Sequence, residues 1–462
     1  MKKLVLLLTF ILLAGCAVGP NYKRPTVSLP TDYRAAIPTQ TVEAASLGNE
    51  KWWDVYQDPV LAELIHTALQ QNYDVRIAAT RVLEAQAQLG ITRADQFPSA
   101  SVGAGVFSQQ NAKVTNLFPA YQVNGGELNL SVIWNLDFWG KYRRQTEEAR
   151  AQLLATKWGQ QAVISSLVAN VATAYFQLRA LDAELEIAKR TLGSRQQSLQ
   201  LTRLLETHGS VSDLDVSQSE QLVYTASETI PDLERQIQQQ ENLLSILLAE
   251  NPRSIPRGRP LTEQPAPDNV PAGLPSELLE RRPDVRDAEA NMMAANAQIG
   301  VAKAAFFPSI SLTGTGGLES NALNSFLSAP SQTWNAGLSI TQPVFEGGRL
   351  RSGLRLSRAQ YQEAVLIYQQ TVQNALEQVS NALIATQKDR DFREQQEMLT
   401  RAAQRTDQLS EVLYQNGGAS YLQVLTAETN YFSAELNLVQ AQLNERLAVV
   451  QLYQSLGGGW QL

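Results

Sequence analysis

The sequence predicts a mainly α-helical protein with a β-barrel portion, built from two copies of a strand hairpin followed by a long helix hairpin. Motifs recur at a near-constant offset, four segments alternate apolar and polar residues, and two long proline-free stretches keep a heptad seam. The chain has 462 residues and a formal net charge of −7, so no nucleic-acid surface is expected. One Cys and two His exclude a disulfide framework and a Cys/His zinc cluster, and we expect no metal site.

Residues 1–15 have the pattern of a secretory signal peptide, because two lysines precede an apolar run that is too short to span a membrane. Cys16 follows directly after Leu13-Ala14-Gly15, and this string resembles a bacterial lipobox. The resemblance implies an N-acyl diacylglycerol lipid on Cys16, whose acyl chains contribute ~0.8 kcal/mol of membrane binding for each buried CH₂. Ala17 at the next position favours the outer membrane by the sorting rule of enteric bacteria. The alternative is a plain signal peptide followed by an incidental cysteine.

Two internal repeats are expected at 59–250 and 284–450. Asp74-Val75-Arg76 and Phe97-Pro98-Ser99 return as Asp284-Val285-Arg286 and Phe307-Pro308-Ser309, roughly 210 residues later in each case. A proline-rich linker at 251–283 separates the repeats and cannot form one continuous helix, although a short helix is expected near 276–280. A proline-containing segment at 16–58 precedes the repeats, and a tail at 451–462 follows them.

Four strands are predicted at about 97–108, 127–138, 307–318 and 333–345, because their side chains alternate with a period of two. One face of each strand is apolar. The other face carries the following polar residues: Glu127, Asn129, Asn135, Asp137, Thr313, Thr315 and Asn335. The strands have the length that crosses a bilayer when tilted.

The helices are expected to be very long. No proline interrupts 141–207, and the apolar residues of this stretch are spaced alternately by four and three: Leu167, Val171, Ala174, Leu178, Leu181, Leu185, Ala188 and Leu192. A helix of that length would run about 100 Å. Glycine and serine at 207–213 and 415–421 predict the tips of two helix hairpins. Pro231 is expected to kink the return helix of the first hairpin.

Membrane strands must close into a barrel, because an open edge in lipid leaves backbone groups without hydrogen bonds. Four strands cannot close, since about eight form the smallest packed barrel. The chain is therefore expected to pool strands with copies of itself. Two copies would give a filled eight-stranded barrel, and three copies would give twelve strands around a water channel lined by the polar face.

Several strings resemble the outer-membrane factors of the TolC/OprM type, in particular their lipidated NodT-like branch. The most specific string runs from Gly273-Leu274-Pro275-Ser276 to Arg282-Pro283-Asp284-Val285. Three others are Cys16 to Pro25, Gly347-Gly348-Arg349 and the Gly457-Gly458-Gly459-Trp460 end. The resemblance implies a homotrimer whose twelve-stranded outer-membrane barrel continues into a periplasmic α-helical coiled-coil barrel, with an equatorial domain formed by 16–58, 251–283 and 451–462. It also implies a periplasmic adaptor and an inner-membrane pump of the RND type as partners. The function implied is a passive conduit, not an enzyme, that expels drugs or other small toxic compounds.

The same resemblance assigns roles to residues at the two tips. Adaptor contact is expected at Gly209, Ser212, Gly417 and Ser420, although these residues also suit ordinary helix turns. A periplasmic gate or selectivity ring is expected from Asp213, Asp215, Leu422 and Thr426. Related proteins carry a Leu and an acid after the second tip, so Thr426 departs from their pattern. Asp213 and Asp215 also suit the helix dipole alone.

Other functions remain open at this stage. The outer-membrane component of a type I protein secretion system would have the same architecture. A lipid-anchored trimeric coiled-coil scaffold would explain the heptads and Cys16, but not the amphipathic strand hairpins. Catalysis is poorly supported, since His66 and His208 belong to different helical regions and no nucleophile-elbow or phosphate-loop pattern occurs.

Overall fold

The structure is a computed structural model that describes residues 17–31, 33–34, 46–110, 122–264, 275–321 and 326–460. The predicted signal peptide 1–15 and the predicted lipid site Cys16 lie outside these residues. The chain forms two compact units, each assembled from three stretches. The described residues of the first unit lie within Met1–Thr26, Arg81–Lys157 and Asp287–Gln369, and those of the second lie within Val27–Thr80, Trp158–Arg286 and Gln370–Leu462.

The order of elements occurs twice along the chain. The first passage contains α1 (Pro59–Gln71), α2 (Tyr73–Ala94), β1 (Ser99–Gln110), β2 (Gln122–Leu136), α3 (Lys141–Thr207) and α4 (Asp213–Leu247). The second contains α5 (Pro283–Ala304), β3 (Ser309–Ser320), β4 (Gln332–Thr341), α6 (Arg349–Gln415) and α7 (Tyr421–Ser455). Helices α3 and α6 have 67 residues each, and α4 and α7 have 35 each. These equal lengths agree with the sequence repeat.

Short helical turns lie between the long elements, at Leu47–Asn49, Trp52–Tyr56, Leu261–Glu263, Pro275–Glu277, Leu278–Arg281 and Ala329–Ser331. The turns at 275–281 match the short helix expected in the proline-rich linker. Pro231 lies inside α4, which continues to Leu247. The kink expected there stays a prediction.

The strands form one antiparallel sheet in the order β1-β2-β3-β4 within the first unit. The pairing of β2 with β3 joins the strand hairpins of the two repeats. Its register carries the apolar face across all four strands: Val102 lies opposite Leu130, Leu130 opposite Gly316, and Gly316 opposite Trp334. The predicted alternation is therefore continuous across the sheet as well as along each strand.

Three predicted strand ends are wrong. Strand β2 begins at Gln122, five residues before its predicted start at 127. Strand β2 stops at Leu136, because the Asp137 carboxylate accepts hydrogen bonds from the backbone N–H groups of Tyr142 (3.1 Å) and Arg143 (2.9 Å) in the first turn of α3. Asp137 therefore does not belong to the polar strand face. Strand β4 stops at Thr341 rather than 345, because Pro343 has no N–H to continue the ladder.

Most of the heptad seam of α3 is buried in the second unit, as its period predicts: Leu167, Val171, Ala174, Leu178 and Ala188 are buried, whereas Leu181, Leu185 and Leu192 are half-buried. Val171, Leu178 and Ala188 have no exposed surface, and Val379 of α6 is equally covered. The largest buried side chains of this unit include Trp52, Leu61, Ile65, Tyr175, Leu244 and Leu452. Within the described residues, no helix is both long and apolar enough to cross a membrane; that finding concerns helices alone.

Candidate functional site: the helix-hairpin tips

Both hairpin tips have the same backbone geometry, in which a glycine with positive φ ends the outgoing helix. Gly209 (φ +72°) donates its N–H to Glu206 O at 2.8 Å, and Ser210 donates to Leu205 O at 2.9 Å. Gly417 (φ +73°) and Gly418 repeat this pair of bonds with Tyr414 and Leu413. This is a Schellman ending, which requires a left-handed residue that glycine adopts without strain. The turn role of both glycines is therefore visible in the backbone itself.

The serines at the tips cap the returning helices. Ser212 is the N-cap of α4, and its backbone N–H donates to Asp215 Oδ2 at 2.9 Å while Asp215 N–H donates to Ser212 Oγ at 3.4 Å. Ser420 is the N-cap of α7 and donates its N–H to Gln423 Oε1 at 3.1 Å. The carboxylate of Asp215 thus accepts a backbone N–H at the start of α4, and this capping role is independent of any role at a pore mouth.

The predicted gate residues are accessible on these returning helices. Asp213, Leu422 and Thr426 are exposed, and Asp215 is half-buried. Leu422 and Thr426 are one turn apart on α7, and the Thr426 hydroxyl donates to the Leu422 carbonyl at 2.8 Å. Thr426 therefore presents no charge where the related pattern has an acid, and the only carboxylates among these four residues are on α4.

A group of side-chain contacts that the sequence did not reveal joins the four helices close to the tips: hydrogen bonds link α3, α4 and α7, and a ring contact adds α6. Ser219 Oγ on α4 donates to Thr202 Oγ1 on α3 at 3.3 Å and shares a second hydrogen bond with the Tyr421 hydroxyl on α7. The Tyr421 ring lies 5.2 Å from the ring of Tyr414 on α6. We call Thr202, Ser219, Tyr414 and Tyr421 the tip network. Ser219 is one of two serines, with Ser245, among the otherwise apolar buried residues of α4, and a serine in that stripe is the sequence signal that could have found it.

A charged cluster lies farther from the tips in the same unit. Arg195 on α3 is 3% exposed; it donates to the Leu222 carbonyl at 2.9 Å, and its guanidinium lies 5.1 Å from the Phe432 ring centre. Burial, together with the charge of Asp407, raises the pKa of Glu428 to about 7, although Arg195 opposes this shift. Burial also raises the pKa of Asp407. These helices therefore contain a carboxyl group that titrates near neutral pH.

The polar face of the sheet has room for its side chains because glycines lie opposite them. A Cβ atom at Gly103 would lie 3.0 Å from Asn129 Oδ1, and one at Gly105 would lie 3.2 Å from Glu127 Oε1. Glu127 of β2 is also the register partner of Glu319 of β3. The face predicted to line a channel therefore carries two carboxylates in adjacent strands.

The residues that follow Cys16 make close side-chain and backbone contacts with α5 of the first unit. Arg24 forms a bidentate ion pair with the buried Glu289 carboxylate of α5, with Nε–Oε1 and Nη2–Oε2 distances of 2.6 and 2.7 Å. Tyr22 donates to the same carboxylate at 3.1 Å. Gly19 packs so closely on Gly300 that a Cβ atom would lie 2.5 Å from the Gly300 Cα. An acyl group on Cys16 would thus start from a segment with a fixed position in this unit.

A sheet with an exposed apolar face, combined with twice-repeated helix hairpins, defines the architecture of an outer-membrane channel. The family model described as outer membrane efflux protein matches residues 64–250 and 274–458. The chain is 34% identical over 454 residues to the cation efflux system protein CusC of Escherichia coli, covering 97% of each chain. It is 35% identical over 463 residues to the probable efflux pump outer membrane protein TtgC of Pseudomonas putida, covering 99% of this chain and 95% of the relative.

Solved structures give the same result. The open state of the MtrE outer membrane channel of Neisseria gonorrhoeae superposes with a TM-score of 0.88 at 29% identity, covering 96% of this chain and 99% of that chain. The outer-membrane channel OprN gives a TM-score of 0.89 at 30% identity, covering 97% and 100%. The chain belongs to the outer membrane efflux protein family, whose members are channels of the TolC/OprM type. It is an efflux channel protein of the Gram-negative outer membrane with a large periplasmic part.

Proposed function

We propose that three copies of this chain form one twelve-stranded barrel, which continues into a periplasmic helical tunnel and serves as a passive exit for drugs and other small toxic compounds. The observation that supports this most strongly is the sheet. Among the described strands, β1 and β4 pair on one side only. The apolar face is open as well, with Val106 92% and Trp334 83% exposed. In a closed barrel in lipid, the backbone groups of both edge strands would find hydrogen-bond partners in neighbouring strands, and the apolar face would contact the lipid chains.

The number of copies follows from the polar face. A two-copy barrel of eight strands is filled by its own side chains, whereas twelve strands leave a lumen. The polar face bears Glu127, Asn129 and Glu319, which suit water better than a packed interior. Three copies are also what the family resemblance implies.

The partners of this channel are proposed to be a periplasmic adaptor and an inner-membrane pump of the RND type, which supplies the energy. The adaptor would contact the tips at Gly209, Ser212, Gly417 and Ser420, all of which are exposed. Asp213, Asp215, Leu422 and Thr426 would line the periplasmic mouth. Small compounds are the favoured cargo because the names of the relatives specify cation and efflux-pump systems. The alternative is protein secretion, and a test of the transported compounds would have to exclude it.

The lipid on Cys16 is proposed to hold the chain to the outer membrane. The fixed segment Ala17–Thr26, with its Arg24–Glu289 ion pair, supports an anchor at this point. Metabolic labelling with radioactive palmitate should mark the wild-type protein, and Cys16→Ala should abolish the label. A labelled Cys16→Ala protein would refute the assignment.

The barrel is tested by a pair of neighbouring lysine substitutions. Leu130→Lys places a charge on the apolar face and should cost about 2–4 kcal/mol if that face meets lipid. Asn129→Lys adds the same charge one residue away on the polar face and should be tolerated. Outer-membrane fractionation and drug resistance of cells carrying each variant are the measurements. Equal behaviour of the two variants would contradict a lipid-facing sheet.

The adaptor contact is tested at the first tip. Gly209→Trp adds bulk in open space, since no atom lies within 4 Å of a Cβ there. Gly209→Ala imposes the same left-handed backbone strain with little bulk and is therefore the matched control. Adaptor cross-linking and resistance should fall with Trp and remain with Ala. If the Trp variant cross-links to the adaptor as the wild type does, the first tip is not part of the contact surface.

A further inference from the structure

The helices attached to the two edge strands have exposed faces on which residues follow a helix-packing pattern. Helix α2 leads into β1 and α6 follows β4, and within the described sheet each of these strands pairs on one side only. Exposed residues of α6 are spaced alternately by four and three, which is the spacing of a seam between two helices. We call them the α6 row: Ser352, Leu356, Ala359, Glu363 and Leu366. The α2 row has the same kind of spacing: Glu84, Ala87, Ile91 and Ala94.

The internal repeat provides a covered counterpart for each row. Helices α2 and α5 have 22 residues each and begin 210 residues apart. Helices α3 and α6 have 67 residues each and begin 208 apart. The residues of α3 and α5 that correspond to the two rows are all buried or half-buried: Arg144, Glu148, Ala151, Ala155, Trp158, Ala294, Ala297, Val301 and Ala304. The same positions are therefore covered in one half of the repeat and open in the other.

Helices α3 and α5 pack on each other in the first unit, and two contacts define their register. Gly300 of α5 is so close to α3 that a Cβ atom there would lie 2.7 Å from Arg144 Cγ. Farther along α3, the Gln152 side-chain amide donates to Asn291 Oδ1 at 3.5 Å. Residue numbers rise along α3 and fall along α5 between these contacts, so the two helices are antiparallel.

We propose that α6 of one copy packs on α2 of the next copy in the register in which α3 packs on α5, and that Arg358 forms an ion pair there with Glu84 of the next copy. This inference rests on the proposed trimer and specifies the helix contact between its copies. The repeat offsets place Ser352 beside Gly90 of the next copy and Gln360 beside Arg81 of the next copy. Such a contact would continue the helical layer from copy to copy, as pairing of β4 with β1 of the next copy would continue the sheet.

The open edges have the space and the charges that this contact needs. Gly90 is exposed, and no atom beyond its own helix turns lies within 4 Å of a Cβ atom built there, whereas Arg144 fills the same position beside Gly300. In the transferred register Arg358 is level with Glu84. Both side chains are exposed, and neither makes an ion pair with another described residue. Opposite charges beside a helix seam favour one partner and one register.

Cysteine cross-linking of the purified full-length protein tests the register. Ser352→Cys combined with Gly90→Cys should form disulfides between copies on oxidation, because Gly300, the counterpart of Gly90, lies close enough to α3 for a disulfide to span the gap. Covalently linked dimers and trimers are expected. Thr80→Cys in place of Gly90→Cys is the matched control, since it lies about 15 Å farther along α2 and should give none. Each single-cysteine variant controls for Cys16.

Charge reversal tests the ion pair without cysteines. Arg358→Glu and Glu84→Arg should each lower the temperature at which the copies separate in detergent, because like charges then face each other across the contact. The two reversals together should restore the wild-type temperature. Arg405→Glu combined with Glu84→Arg is the control, since Arg405 is an exposed arginine far from this part of α6, and it should restore nothing.

Two results would overturn the inference and leave the proposed function intact. A conducting trimer that cross-links equally through Gly90→Cys and Thr80→Cys, or through neither, would refute the register. A double charge reversal that is no more stable than the single reversals would refute the ion pair. A wild-type protein that purifies only as a monomer would contradict the proposed trimer itself, and this contact with it.

Discussion

Ser219 and Tyr421 share a hydrogen bond between two nearly buried side chains, one from each repeat of the chain. Ser219 lies seven residues after the first tip cap, and Tyr421 directly follows the second. The bond therefore ties the returning helix of one hairpin to that of the other close to the periplasmic mouth. Any widening of the mouth that separates α4 from α7 has to break it.

Tyr421→Phe should loosen this contact, because Ser219 donates its own hydrogen to Thr202 and therefore loses the hydrogen bond that it accepts from the Tyr421 hydroxyl. The expected cost is about 1–2 kcal/mol. Cells carrying the variant should become more sensitive to large antibiotics that leak through an open channel, and planar bilayers should show more open time. Tyr224→Phe on α4 removes an exposed hydroxyl and serves as the control. Identical leakage in the two variants would show that the tip network takes no part in gating.

Asp213→Asn combined with Asp215→Asn should reduce the cation selectivity of the channel. Three copies would place six carboxylates at one mouth, and neutral amides remove that negative potential. Asparagine keeps an oxygen acceptor at position 215, so the cap of α4 is retained in large part. Reversal potentials in a salt gradient are the measurement, and Glu228→Gln plus Glu234→Gln, farther along α4, is the charge-matched control. Unchanged reversal potentials would assign the two aspartates to helix capping alone.

Glu428→Gln should remove a pH dependence of stability. The folded-state pKa of Glu428 is about 7 against an ordinary value of 4.5, so the folded protein binds this proton more tightly than the unfolded chain. Stability from this group is complete below about pH 4.5 and is lost as the pH rises through 7. Asp407 and Glu411 of α6 strengthen the effect, whereas Arg195 and the Ser198 hydroxyl of α3 weaken it.

The measurement is Tm of the wild type and the variant between pH 5 and 8. Relative to the variant, the wild type should lose on the order of 2 kcal/mol over this range, after allowance for the part of Glu428 that faces solvent. Glu228→Gln, an exposed carboxylate on α4, should leave the wild-type pH profile intact. Parallel profiles of wild type and Glu428→Gln would place the titration elsewhere.

Asp58→Ala should destabilise the second unit by about 3 kcal/mol. Asp58 caps α1, and its other oxygen accepts from Gln264 Nε2 at 2.6 Å and the Tyr175 hydroxyl at 3.1 Å. Burial raises the pKa of Asp58, but these hydrogen bonds and those from the α1 backbone outweigh it and hold the pKa below its ordinary value.

The stability that Asp58 contributes is therefore present at neutral pH and lost as the pH falls below about 4. Chemical denaturation at pH 7 measures the predicted loss. The nearby exposed Asp54→Ala is the control and should change stability by less than about 0.5 kcal/mol. A loss at Asp58 no larger than at Asp54 would contradict this role.

The periodic parts of the fold were predictable because they depend on how apolar and polar residues alternate within one short segment of the chain. Alternation indicated all four strands, and the spacing of Leu167, Val171 and Ala174 indicated the buried seam of α3. Strand ends were missed where a competing interaction decides them, as at Asp137, which caps a helix instead of extending β2. The Ser219–Tyr421 bond depends on two side chains far apart in the chain, and no single-sequence period reports such a contact.

The most direct test of the channel assignment is the conductance of the purified protein in a planar lipid bilayer. A trimeric twelve-stranded barrel with a water-filled lumen predicts discrete, ohmic single-channel steps from the protein alone, without adaptor or pump. Steps that persist with Asn129→Lys but vanish with Leu130→Lys would tie the current to the membrane sheet. A wild-type protein that enters the bilayer and gives no steps, with Tyr421→Phe equally silent, would contradict a conduit.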